Sequence, residues 1–213
     1  METDSTQAAY PVRIEVQTPA KFERVQLLVR LLVLIAFGMI HESGLGLFGL
    51  VYFLLPVVAA VLITQRGGEG YLDRDAPWLV SALEWVVGFY AYMLFVTDRF
   101  PLDKRERALQ LHVAVDGHPS VGSALARLLA SLPQLVVLFF VGLVSAVVSV
   151  IAAVGILLFE TYPEALRTFQ QEVVSWLARL FAYHGSLVQK YPPFGFGHEH
   201  DAQKKIGTVA QTR

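Results

Sequence analysis

The chain has 213 residues, of which 54% are hydrophobic and only 16% charged, with a formal net charge of −1 and a mean hydropathy of +0.50. Soluble domains carry roughly 25% charged residues, so this composition leaves too little charge to cover a water-facing surface. The near-neutral balance excludes the basic field that nucleic-acid binding needs, and with no cysteine there is no disulfide, thiolate nucleophile or cysteine-held metal.

The first 25 residues are polar and hold no apolar core of the signal-peptide kind, so insertion is expected through an internal helix. Residues 1–9 are expected to be disordered. Val12, Ile14 and Val16 then alternate with polar residues in a short strand, and a second alternation falls at Leu111, Val113 and Val115. Each is a lone run whose edges would otherwise stay open, which predicts that the two pair with each other.

A membrane-crossing helix needs about 20 mostly apolar residues. Three segments qualify: Leu45 to Thr64, uncharged and containing Pro56; Trp78 to Val96, whose one charge is Glu84; and Pro133 to Phe159, also uncharged. Two further stretches mix an apolar face with charge. Phe22 to Ile40 is expected to be interfacial or re-entrant. Gln170 to Gln189, with Val173, Trp176, Leu177, Leu180 and Phe181 at helical spacing, reads as interfacial or oblique to the bundle.

The sequence also matches itself. Residues 85 to 101 align without gaps on 176 to 192, bringing Trp85 onto Trp176, Tyr92 onto Tyr183, Arg99 onto Lys190, Phe100 onto Tyr191 and Pro101 onto Pro192, while Arg30 falls near the position of Arg127. Two tandem membrane repeats follow, 10–102 and 109–194, joined by a linker at 103–108 and followed by a flexible tail at 195–213. The expected fold is an all-α membrane bundle with a small β element, about four transmembrane helices, amphipathic interfacial helices and short cytoplasmic strands.

Lys and Arg gather near the N-terminus (Arg13, Lys21, Arg24), in the middle (Arg99, Lys104, Arg105, Arg107) and in the tail (Lys190, Lys204, Lys205, Arg213). The positive-inside rule places all three in the cytoplasm, and the loops at 66–77 and 160–166 outside. The expected location is therefore the inner, cytoplasmic membrane, multi-pass, with both termini cytoplasmic.

Toward the C-terminus the order Tyr162-Pro163, Trp176, Tyr183, Tyr191-Pro192-Pro193-Phe194, together with the early YPVRIEV, resembles the bacterial domain-of-unknown-function family 4389. This chain departs from the family pattern at Glu160-Thr161 and in the insert GGEGYLDRDAP. The resemblance implies a membrane location and a fold. It brings no catalytic residues and no cofactor.

Four charged positions stand out as intramembrane polar or lipid-headgroup contacts: Arg30, Glu84, Arg127 and Arg179. Arginine at a span end usually snorkels to the phosphates. A carboxylate two turns into an apolar helix needs a partner or a proton, and Arg30 or Arg179 is the expected match for Glu84. His41-Glu42 reads as a turn and His198-Glu199-His200 as a solvated tail, so no metal site is expected. Trp78, Trp85, Tyr90, Tyr92, Trp176, Tyr183 and Tyr191 read as belt anchors. Small residues at Gly38, Gly44, Gly46 and Gly49, and at Gly142, Ser145, Ala146, Ser149, Ala152 and Ala153, suit close helix packing or self-association. No nucleotide, hydrolase or metalloprotease signature is present in the sequence. The expected role is a non-enzymatic scaffold or accessory subunit of a membrane complex, partnered by the bilayer and by a protein or a second copy. The alternative is a small transporter or channel using the repeat interface around Glu84.

Overall fold

The computed structural model describes residues 10–40, 46–101 and 109–195. Residues 1–9, His41-Glu42, Gly44, the linker at 103–108 and the tail from 196 on, with His198-Glu199-His200, lie outside the described residues.

The described residues form six helices and two strands, in the order strand, helix, helix, helix, twice over. Strand β1 (Val12–Val16) is followed by α1 (Arg24–Ile40), α2 (Leu47–Arg74) and α3 (Ala76–Met93), and strand β2 (Leu109–Val113) by α4 (Val121–Ala130), α5 (Leu132–Phe159) and α6 (Glu164–His184).

The expected strand pairing is present. β1 and β2 form a two-stranded antiparallel sheet with Val12 opposite Val113 and Val16 opposite Leu109. Alternation gives the sheet two faces: Val12, Leu109 and Leu111 are buried, whereas Arg13, Glu15, Gln110 and His112 are exposed. β2 starts two residues earlier than its hydrophobic alternation predicts. The ladder closes where the Ala114 amide donates to the Pro11 carbonyl, and Asp116 then turns away to bond with Leu187, leaving Val115 outside the strand.

Two helices, α2 and α5, are long and apolar enough to cross a membrane. α2 runs ten residues beyond the expected span end, across a kink at Gly67, where φ is +71° and no helix can continue regularly. α5 begins with Pro133 in its first turn, where the missing N–H costs nothing. It buries a narrow stripe through Gln134, Leu138, Ser145, Val148, Ala152 and Ile156 and exposes apolar side chains around the rest of its circumference, with Phe139, Val150 and Phe159 each more than 60% exposed.

α6 corrects the reading of residues 170 to 189 as an interfacial segment. It is the central helix, buried on every side from Val173 to His184. It presents Gln170 to α5, where Ser145 Oγ donates to Gln170 Oε1 at 2.6 Å, and Gln171 to the strand side, where Gln171 Nε2 donates to Thr18 at 3.0 Å. Its polar residues look amphipathic in sequence because they bond inside the protein rather than to water. α3 packs antiparallel to α6, with Leu79 against Gly185 at one end and the Phe95 carbonyl taking the Tyr162 hydroxyl at the other. The layers are therefore sheet, then α3 with α6, then α5 and its neighbours.

Candidate functional site

The two buried arginines build matching sites at the C-terminal ends of α3 and α6. A helix end leaves its last carbonyls without intrahelical partners and carries a partial negative charge. At the end of α3 the chain takes a left-handed step at Phe95 (φ 60°), and at the aligned point after α6 it takes one at Ser186 (φ 55°). The same turn bonds close both: Phe95 N–H to Tyr92 O and Val96 N–H to Ala91 O, then Ser186 N–H to Tyr183 O and Leu187 N–H to Ala182 O.

An arginine from another helix ties off each end. Arg30, on α1, donates from Nε to Tyr92 O at 2.9 Å and from Nη2 to Thr97 O at 2.7 Å, and its guanidinium lies 4.4 Å from the Tyr92 ring centre. Arg127, on α4, donates from Nη1 to Tyr183 O and to Val188 O, the latter at 2.7 Å, and lies 4.5 Å over the Tyr183 ring. Tyr92 and Tyr183 are aligned in the two halves, as are Thr97 and Val188. Ring packing repeats too: Tyr92 meets Phe100 at 5.1 Å and Tyr183 meets Tyr191 at 5.5 Å, both edge-on. Ser120 and Ser123 cap the start of α4 by exchanging side-chain and backbone bonds, which satisfies amides that the helix start leaves unpaired.

Neither arginine snorkels outward, since Arg30 is 2% and Arg127 6% exposed. Burial lowers the pKa of both guanidinium groups. The carboxylate matched to Arg30 is Asp98, at 2.9 Å, rather than Glu84. Asp98 sits just past α3, accepts the Glu23 amide at 2.7 Å, and has its carboxyl pKa raised by burial against the opposing pull of that amide and of Arg30. Glu84 is half-buried on α3. Arg179 is buried on α6 and donates to the Gly195 carbonyl at 3.3 Å.

The C-terminal motif residues are structural in the same sense. Tyr162 donates to the Phe95 carbonyl at 2.8 Å and packs on Phe22, and Pro163 caps α6. Trp176 Nε1 donates to Gln134 Oε1 at 2.7 Å, and Gln134 Nε2 in turn donates to the Pro192 carbonyl at 2.7 Å. Tyr191 donates to Ala130 O at 3.1 Å, Pro193 is half-buried, and Phe194 stays half exposed beside Tyr191. Trp176, Tyr92 and Tyr183 are thus core residues rather than belt anchors, whereas Trp78 and Trp85 are exposed.

Sequence reasoning missed a serine and a histidine in contact. His184 Nε2 lies 2.7 Å from Ser131 Oγ, which also bonds Tyr52 OH at 2.7 Å, and His184 Nδ1 lies 3.1 Å from the Tyr52 carbonyl. A nucleophile and base must reach substrate. Both Ser131 and His184 have zero exposure, so the pair holds α2, α5 and α6 together. Among the described residues no cluster of His, Asp and Glu has metal-holding geometry.

Among the described residues, two of six helices are long and apolar enough to cross a membrane, which points to a membrane protein. Residues 122–195 match the family model described as domain of unknown function (DUF4389), so that segment is similar to the family. The matched stretch runs from α4 through the second arginine site to the end of the YPPF motif. No curated protein and no solved structure matches the chain.

Proposed function

We propose that this protein is a non-enzymatic scaffold or accessory subunit of the cytoplasmic membrane, with its apolar helical face in hydrocarbon and its sheet, together with both termini, on the cytoplasmic side. The observation that carries this reading is the division of the surface. Leucine, valine and phenylalanine of α1, α2 and α5 stand exposed in numbers that a soluble monomer does not tolerate, while the outer face of the sheet presents Arg13, Glu15, Gln110 and His112. The reactive-looking side chains support it as well, since each is sealed in an internal bond. The two halves are read as tandem repeats because the same arginine-clasped helix end occurs at aligned positions in both.

A photo-crosslinking residue placed at Arg13 or His112 is expected to capture a protein, and one placed at Phe140 to capture lipid. Solute flux through proteoliposomes that is lost in Glu84→Gln would instead establish the transporter alternative and end the scaffold reading.

A further inference from the structure

Resting on that membrane placement, we infer that α5 and α6 do not carry the chain across the bilayer: both lie along one leaflet, the sheet faces water, and the partner of the apolar face of α5 is a single lipid monolayer. The argument begins with the sheet. β1 runs alongside the C-terminal two thirds of α6 and past its end, since Gln171 donates to Thr18 on one side and the Tyr10 hydroxyl donates to the Lys190 carbonyl at 2.9 Å on the other. If α6 crossed hydrocarbon, this two-stranded sheet would cross with it. Its open edges and its polar outer face would then meet lipid, which offers no hydrogen bonds in return.

α5 shares that orientation. It follows α6 back from Gln134 beside Trp176, through Ser145 at Gln170, to Gly155 against Tyr162. Helices lying in the interface bury their apolar faces by about 5–10 Å, close to one helix diameter, and α5 is apolar on the outer side over its whole length.

The cysteine-free chain allows a direct test. Single-cysteine variants Thr161→Cys between α5 and α6 and His112→Cys on the sheet, both exposed positions, are treated with a membrane-impermeant maleimide. Inside-out and right-side-out vesicles of the same cells are compared, and membrane retention is checked by alkaline carbonate extraction. The expected result is retention, with both labelled in inside-out vesicles and neither in right-side-out vesicles. Labelling of Thr161→Cys from the outside, with His112→Cys labelled from the inside, would establish crossing helices and overturn the inference. Release of the whole protein by carbonate would overturn the membrane placement itself, and this orientation with it.

Discussion

Arg127 is the residue on which the second half closes. Its Nη1 satisfies two carbonyls at the end of α6, and its plane covers Tyr183. Leaving a buried acceptor unsatisfied costs about 1–3 kcal/mol. Arg127→Met, which keeps the stem but removes the donors, is therefore expected to destabilise by roughly 2–4 kcal/mol by those same costs. Thermal unfolding in a mild detergent measures it, and an unchanged midpoint would deny the clasp its role. Ser186 makes the opposite case. It occupies a left-handed conformation at φ 55°, and its hydroxyl is buried without a hydrogen-bond partner among the described residues. Ser186→Gly removes both penalties and is expected to stabilise by about 1 kcal/mol in the same assay.

Asp98 gives the first site a pH dependence. Its pKa is higher folded than unfolded, so the folded state holds more protons in the acid range. Its contribution to stability is then greatest below the unfolded carboxylate value and falls as pH rises through the folded one. Asp98→Asn is expected to flatten that slope in thermal midpoints taken across the acid range; an identical slope would place the titration elsewhere. Asp98 was hidden in the sequence because the contact spans 68 positions. Asp98 lies in the turn just beyond the apolar run that carries Glu84.

Among the elements, what depends on local pattern was readable. The alternation of β1 and β2 gave their pairing, and the uncharged runs gave α2 and α5. α6 was not readable as the core because periodicity reports polarity, not the partners of polar groups. Gln170, Arg179 and His184 resemble a water-facing stripe until their internal bonds are known. Glycine roles divide in the same way. A Cβ at Gly155 would stand 2.8 Å from the Thr161 carbonyl oxygen and 3.1 Å from Tyr162 Cβ, whereas one at Gly142 would meet nothing within 4 Å. Gly155→Ala is expected to cost about 1–3 kcal/mol through overpacking of the α5–α6 turn. Gly142→Ala, on an open helix face, is expected to be neutral or to stabilise by up to about 1 kcal/mol. Equal effects on thermal midpoints would contradict the close approach of α5 to the Tyr162 turn.

At the scale of the whole molecule, the composition points to lipid, and the layering divides the surface into an apolar side and a polar one. Leu143 and Phe140 of α5 stand on the outer apolar side, and Arg13 and His112 on the outer side of the sheet. Spin labels on single cysteines at these four positions, in the reconstituted protein, test the claim through their collisions with dissolved oxygen and with a water-soluble nickel chelate. Labels at 140 and 143 are predicted to collide with oxygen and escape the chelate, and those at 13 and 112 to show the reverse. Chelate access at 140 and 143 equal to that at 13 would contradict the account.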